Sequence, residues 1–185
     1  MRSCTLVFGL LISHAIFGQA RHQLSAGFTG VVRLRGNSYD AGNRPGFGGA
    51  YGLRAHRYFQ IDLGLEVVPR PIGAGACCRY VKNAGDILYL IPFGGRLVLG
   101  PEDGRWEIDV GGGAAYMNHH VGNQAPGISP GASGAGGYGL AGGNSALRKG
   151  SRLRLGGHAK FYRFGLNGFT PARYLTLAAE FSFRF

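Results

Sequence analysis

The sequence contains few charged residues and, beyond its first 20 residues, no long apolar run. Asp, Glu, Lys and Arg make up 16% of the 185 residues. No later segment approaches the roughly 20 apolar residues that a membrane-spanning helix needs. No linker of biased composition divides the chain, so we expect a single domain. The 35 glycines follow no collagen-like period, and they predict turns and close contacts between strands.

The first 20 residues predict a secretory signal peptide. Arg2 precedes an apolar run over residues 6–17, which is too short to span a bilayer as a helix. The small residues Gly18 and Ala20 suit a cleavage site, so we expect the exported chain to begin at Arg21. A buried N-terminal helix or strand is the alternative interpretation of this run.

The remaining residues, 21–185, contain segments of strand length in which apolar and polar residues alternate. Successive strand residues point to opposite faces, so such segments can present one face to lipid and the other to the lumen of a barrel. Leu88, Leu90 and Pro92 blur one segment, and in the weakest segment we expect Tyr138 and Leu140 on the outer face. The eight segments are residues 24–34, 47–56, 59–68, 87–99, 106–116, 136–143, 153–162 and 175–185.

Charged residues occupy only one face of these eight segments. The apolar faces carry none, and the balance of six basic and five acidic residues suits mutual pairing in an interior. A soluble β-sandwich would show the same alternation, with its apolar faces meeting in a core. The charged residues on the polar faces are Arg33, Arg54, Asp62, Glu66, Arg96, Glu107, Asp109, Arg154, Lys160, Glu180 and Arg184.

The connections between the segments favour a membrane barrel over a sandwich. Long joins at residues 35–46, 69–86 and 118–135 alternate with the short joins at 57–58 and 100–104, and the last two joins are intermediate. Outer-membrane barrels have an even number of strands, short periplasmic turns and longer extracellular loops. We therefore predict an all-β fold, an eight-stranded antiparallel up-and-down transmembrane β-barrel over residues 21–185.

The export signal, the alternating strands and the C-terminal sequence together resemble the small bacterial outer-membrane β-barrels, of the outer-membrane protein A and X types and the opacity-like porin family. In that family a last strand ending in Phe is the signal that the barrel-assembly machinery reads. The resemblance implies an outer-membrane location, with that machinery and periplasmic chaperones as partners. The residues that match the signal are Leu177, Phe181, Phe183 and Phe185.

The interior of an eight-stranded barrel is just wide enough for side chains to fill. A symmetric turn after residue 100 would bring Arg96 opposite Asp109, and a last loop centred near Asn167 would bring Arg154 opposite Glu180. We expect both pairs to point into the lumen.

Basic residues predominate in the predicted extracellular loops and at their strand ends. They could bind the phosphates of an anionic outer leaflet such as lipopolysaccharide, and a solvated loop surface is the alternative. The basic residues do not cluster on one element and an export signal precedes them, so we expect no nucleic-acid partner. The residues are Arg35, Arg44, Arg70, Arg79, Lys82, Arg163 and Arg173, against Asp40 and Asp86.

Two adjacent cysteines, Cys77 and Cys78, fall in a predicted extracellular loop, where oxidation is favoured. A disulfide between them is one interpretation, and pairing with another chain is the other. A metal site would need His119 and His120 to converge on the cysteines from a different loop. We predict neither a metal nor a cofactor.

Catalysis in the lumen would require a nucleophile with a nearby base and an orienting acid. His158, Thr176 and Glu180 supply these groups on neighbouring strands, although a stabilising network explains them equally well. The His-x-Ser pattern of lipid A deacylase barrels is absent, so we expect no enzymatic activity.

We therefore expect a monomeric outer-membrane barrel with a largely filled polar lumen. Its expected role is structural, envelope-stabilising or surface-interacting, through basic glycine-rich loops. A narrow channel for ions or small apolar molecules is the main alternative, and a lipid A-modifying barrel is the second. The ligand of the loops, the redox state of the cysteines and the oligomeric state stay open at this level.

Overall fold

The structure, a computed structural model, describes residues 21–35, 43–69, 87–101, 105–120, 131–165 and 171–185. These residues form one closed barrel in which each strand pairs antiparallel with the next, and β1 pairs with β8 to complete the ring. The predicted fold class is confirmed. The predicted signal peptide lies outside the described residues. The strands are β1 (Arg21–Arg35), β2 (Arg44–His56), β3 (Phe59–Pro69), β4 (Ile87–Leu99), β5 (Trp106–His120), β6 (Gly131–Ala146), β7 (Leu153–Phe164) and β8 (Ala172–Arg184).

The two ends of the barrel differ in their connections. Residues 57–58, 100–105 and 147–152 join strands at the end that carries Arg21 and Phe185, and we call this the turn end. The opposite end of the barrel, which we call the loop end, is formed by the strand ends at Arg35, Arg44, Pro69, Ile87, His120, Gly131, Phe164 and Ala172. In the β6–β7 turn, Gly150 has a φ of 75°, a left-handed conformation that glycine adopts without steric cost.

The outer wall of the barrel is apolar. Phe28, Leu63 and Phe181 are 80%, 52% and 61% exposed, and large apolar side chains are exposed on every strand except β6. Soluble monomers rarely expose continuous apolar surface of more than a few hundred Å², whereas a lipid-facing band requires it. The apolar faces do not meet in a core, so the soluble-sandwich alternative is wrong. Within the described residues, no helix is long and apolar enough to cross a bilayer.

Strand β6 corrects one prediction from the sequence. Tyr138 lies opposite Tyr162 and stacks on its ring at a centroid distance of 5.7 Å, inside the barrel. Leu140 shares that lumen face, opposite Lys160. The outer face of β6 carries small residues instead. The prediction failed because a strand of glycine and alanine has almost no polarity pattern, so only the neighbouring strands determine which face is which.

Strand β4 contains a proline in a barrel that has no edge strand. Between β3 and β4 the register runs from Phe59↔Leu97 to Leu63↔Phe93 and resumes at Glu66↔Leu90. The interruption coincides with Pro92, which has no backbone N–H to donate to a ladder. A Cβ on Gly64 would lie 3.0 Å from Pro92 Cγ, so the glycine leaves room for the proline ring.

Candidate functional site

The lumen of the barrel contains three layers of paired charges and, at the loop end, a layer of apolar side chains. We consider this lumen the candidate functional site because it determines whether anything can pass through the barrel. The layers are described from the turn end upward.

The first layer centres on Glu107, which is almost fully buried and has three arginines around it. Arg54 Nη1 donates to Glu107 Oε1 at 2.9 Å, and Arg154 Nη2 lies 3.6 Å from Oε2. Arg184 donates to both carboxylate oxygens. Its Nε also donates to Gln23 Oε1 at 3.0 Å. Three strands, β2, β7 and β8, therefore converge on one carboxylate of β5.

The second layer joins Arg96 to two aspartates. Arg96 Nη2 donates to Asp62 Oδ1 at 3.3 Å, and its Nη1 donates to Asp109 Oδ2 at 3.2 Å. His158 Nε2 lies 2.9 Å from the same oxygen of Asp109. Asn144 donates to Asp109 Oδ2 from its amide at 3.3 Å. One oxygen of Asp109 therefore has contacts from β4, β6 and β7, which offset part of the cost of burying the carboxylate.

The third layer places Lys160 between two glutamates. Lys160 Nζ lies 2.8 Å from Glu66 Oε1 and 3.8 Å from Glu180 Oε1. Tyr162 donates its hydroxyl to Glu66 Oε1 at 3.0 Å. His158 Nδ1 lies 3.4 Å from Glu180 Oε2, which connects this layer to the second. A cavity of about 10 Å³ lies beside Glu66, Lys160 and Glu180, and one water needs about that volume.

Above the charges, apolar side chains fill the loop end of the lumen, and we call this layer the apolar plug. The rings of Tyr162 and Phe164 stack at a centroid distance of 5.7 Å, and the ring centroids of Phe164 and Tyr174 are 6.3 Å apart. The members are at most 4% exposed. The plug consists of Val31, Val68, Leu88, Leu90, Ala115, Met117, Tyr162, Phe164, Ala172 and Tyr174.

The plug was the main feature that the sequence prediction missed. Leu88 and Leu90 disturb the alternation of β4 because they point into a lumen that is apolar at their level. That irregularity was the available signal. An apolar residue on a lumen face cannot be told from a lipid-facing residue by polarity alone.

The predicted ion pairs lie in the lumen in a different strand register. Val98, rather than Arg96, lies directly opposite Asp109, although Arg96 reaches the aspartate diagonally. The prediction that Arg154 lies opposite Glu180 is wrong, because Ser182 occupies that position and Gly156 faces Glu180. The observed register of the β4–β5 hairpin and that of the β7–β8 hairpin each differ from the predicted register by two residues. A shift of two preserves which face a side chain occupies, so the charges stay in the lumen.

The other predicted site residues fall in several places. Arg33 is half-buried near the loop end of β1. The four residues of the predicted assembly signal lie on the outer face of β8 or just beyond it, and the rings of Phe185 and His22 stack at a centroid distance of 5.4 Å. Cys77 and Cys78 lie outside the described residues. Among the residues that are described, no group of three or more His, Cys, Asp or Glu side chains is arranged to hold a metal ion.

Comparisons with known proteins give matches at the level of structure only. No family model matches the sequence. No curated protein sequence matches it either.

Three solved structures illustrate the structural matches. One is Ail, the attachment invasion locus protein of Yersinia pestis, which was crystallised with the heparin analogue sucrose octasulfate. It matches with a TM-score of 0.62 at 12% sequence identity, and the match covers 90% of this chain and 99% of Ail. Neisserial surface protein A has a TM-score of 0.60 at 14% identity, covering 90% and 97%. The outer membrane protein OprG of Pseudomonas aeruginosa has a TM-score of 0.56 at 10% identity, covering 90% and 96%. At these identities the similarity is one of fold.

Proposed function

We propose that this chain, which has the fold of the small bacterial outer-membrane β-barrels, is a closed barrel that acts through its outer surface and not as a channel. The observation that carries the proposal is the double closure of the lumen. Three layers of ion pairs fill the lumen from the turn end up to Glu66 and Lys160, and the apolar plug fills the loop end. An ion crossing the barrel would have to separate buried ion pairs and then enter an apolar layer, and both steps are costly.

The two alternatives have less support. A narrow channel would require both the ion pairs and the plug to move aside. A lipid A-modifying enzyme built on His158, Thr176 and Glu180 would require its substrate to reach the lumen, where Thr176 is fully buried opposite Lys160. The proposal therefore includes no catalytic step.

The proposed role is structural or surface-interacting, with an anionic partner. Four of the basic residues predicted for the loop end are described: Arg35, Arg44, Arg163 and Arg173. The similar barrel Ail was crystallised with a polysulfated saccharide, which indicates that this fold can present cations to an anionic ligand. Outer-leaflet lipid, including lipopolysaccharide, is the partner that we propose, and we expect the barrel to be a monomer that the barrel-assembly machinery inserts.

Planar-bilayer recording tests the closed lumen. The chain is refolded in detergent, its folding is verified by faster migration on an unheated gel than after boiling, and the same sample is added to the bilayer. We expect no discrete conductance steps from the folded protein. Reproducible single-channel conductance steps from folded, unheated protein would contradict the closed barrel and favour the channel, provided that they disappear after boiling.

A further inference from the structure

Three arginines lie side by side across neighbouring strands at the loop end of the barrel. Arg163 of β7 is the register partner of Arg173 of β8, and Arg173 is in turn the partner of Arg35 of β1. We call these three residues the arginine row. Direct partners in an antiparallel sheet have Cβ atoms about 5 Å apart, so the row places three positive charges close together on three consecutive strands.

The arginine row faces outward. Tyr162 and Phe164, on either side of Arg163, are buried in the lumen, so Arg163 lies on the opposite face of β7. Ala172 and Tyr174, on either side of Arg173, are also buried in the lumen, so Arg173 lies on the outer face of β8.

Arg35 reaches the outer face through a β-bulge. Simple alternation from the buried Val31 would turn Arg35 toward the lumen. The β1–β8 register shifts between Arg33 and Arg35, so that Arg33 pairs with Tyr174 and Arg35 pairs with Arg173. β-bulges are known to redirect side chains in this way. Here the bulge completes the row.

Among the residues that the structure describes, the arginine row has no acidic neighbour on the wall. Like charges directly opposite each other destabilise a sheet, and the Nε of Arg173 is buried without a hydrogen-bond partner. All acidic residues within the described part of the chain face the lumen: Asp62, Glu66, Glu107, Asp109 and Glu180. An anion from outside the chain would offset the repulsion and accept hydrogen bonds from the guanidinium groups.

The wall beside the row is unusually smooth. Gly137 of β6 is the register partner of Arg163, and Gly139 is the partner of Phe161. A Cβ on Gly139 would meet nothing within 4 Å. No outward side chain of β6 between residues 135 and 143 is larger than a methyl group, over a length of roughly 26 Å at 3.3 Å per residue. We call this surface the smooth strip: Ala135, Gly137, Gly139, Ala141 and Gly143.

We propose that the arginine row and the smooth strip together bind one phosphorylated glycolipid of the outer leaflet. A phosphate group binds the guanidinium groups of the row, and an acyl chain lies along the strip, where no protruding side chain displaces it. Arginine suits this role because its planar fork can donate two hydrogen bonds to one phosphate. The inference rests on the proposed function in placing the loop end at the outer leaflet and in taking outer-leaflet lipid as the partner.

Binding of bisphosphorylated lipid A to the refolded protein in zwitterionic detergent tests the proposal. The double variant Arg163→Gln/Arg173→Gln is compared with Arg148→Gln/Lys149→Gln, which removes two exposed cations from the β6–β7 turn at the opposite end. Each arginine near an anionic surface contributes about a fivefold factor in affinity, so we expect the row variant to bind about 25-fold more weakly. The control should bind like the unmodified protein, and added salt should weaken binding of the unmodified protein.

Two further measurements identify the ligand. Lipid A without its phosphates should bind the unmodified protein as weakly as the row variant binds the intact lipid. Gly139→Leu, which fills the strip, should weaken lipid A binding several-fold, whereas Ala26→Leu on the outer face of β1 should not. Equal losses in the row variant and its control, or equal binding with and without phosphates, would overturn the proposal.

A soluble polysulfated saccharide that binds the row more tightly than lipid A would also overturn the glycolipid assignment. These outcomes are independent of the closed lumen. A folded, non-conducting protein that does not bind lipid A removes the lipid site and the proposed lipid partner and leaves the closed barrel, whereas conductance in a protein that binds lipid A removes only the closed barrel.

Discussion

At the scale of single residues, Glu107 illustrates how tertiary structure determines the meaning of a charge. In the sequence it is one of five acids that alternate with apolar neighbours, and nothing distinguishes it from Glu180. In the barrel it receives three arginines from three strands, whereas Glu180 contacts one lysine and one histidine. The number of partners depends on how strands distant in sequence face each other across the lumen.

Glu107→Gln should therefore be the most destabilising single change to a lumen acid. Removing one member of a buried ion pair costs about 3–5 kcal/mol because the other charge stays buried without compensation, and here three charges lose their common partner. Glu180→Gln serves as the matched control, with a smaller loss because Glu180 is 16% exposed. Urea titrations in detergent, followed by gel mobility of the folded form, give the unfolding midpoints. Equal midpoints for the two variants would contradict the central role of Glu107.

At the scale of elements, β6 is the strand whose sequence predicted least, yet it pairs with both neighbours without a register shift. It is the longest strand, Gly131–Ala146, although only residues 136–143 were predicted. Its pairing with β5 continues from Trp106↔Ser145 to His120↔Gly131 without a register shift. Glycine removes the polarity pattern that sequence analysis depends on, but the backbone hydrogen bonds that build a strand do not require side chains.

Two glycines of β6 should respond in opposite ways to substitution by alanine. At Gly136 the added Cβ would lie 2.0 Å from the backbone oxygen of Arg163 and 2.8 Å from Phe164 Cα, so the strands must separate. We expect Gly136→Ala to lower the unfolding free energy by about 1–3 kcal/mol. At Gly139 the Cβ meets open space, and Gly139→Ala should be neutral or stabilising by up to about 1 kcal/mol.

The same urea titration measures both variants of β6, and the unmodified chain is the reference. Gly136→Ala and Gly139→Ala add the same methyl group to the same strand, so a difference between them reports the surroundings of that methyl group, on the lumen face at Gly136 and on the outer face at Gly139. Equal effects would mean that the close approach between β6 and β7 is not as described.

At the scale of the whole molecule, this barrel has the reverse of a soluble protein's distribution of side chains, with charged residues inside and apolar residues outside. Paired charges fill the interior of the turn-end half, and the largest exposed side chains are apolar. A barrel of eight strands has no room for a wide pore once its side chains are in place. Its stability and its closure therefore come from the same lumen contacts.

The unmodified chain should fold only in the presence of detergent or lipid. In plain buffer the apolar wall would have no lipid to contact, so we expect aggregation. In detergent we expect the folded barrel to resist unfolding by sodium dodecyl sulfate until it is boiled. This resistance is seen as faster migration of the unheated sample on the gel. A protein that folds in plain buffer and migrates identically before and after boiling would contradict the membrane barrel.

The sequence by itself determined the strand number, the antiparallel order and the face of nearly every charge. These features follow from the period-two alternation of apolar and polar residues, which is a local property of the sequence. An error of two residues in the register of the β4–β5 and β7–β8 hairpins leaves them unchanged, because a shift of two keeps each side chain on the same face. Each of the eight predicted segments lies largely within an observed strand.

Only the tertiary structure decided which charges pair, where the lumen turns apolar and which way β6 faces. Arg154 pairs with Glu107 across the lumen instead of facing Glu180 because the register of the three strands β5, β6 and β7, and not of one hairpin, sets that distance. The bulge that turns Arg35 outward leaves no mark in the sequence, since it arises from pairing with β8. Contacts between residues distant in the chain depend on the closed ring, and local alternation carries no information about them.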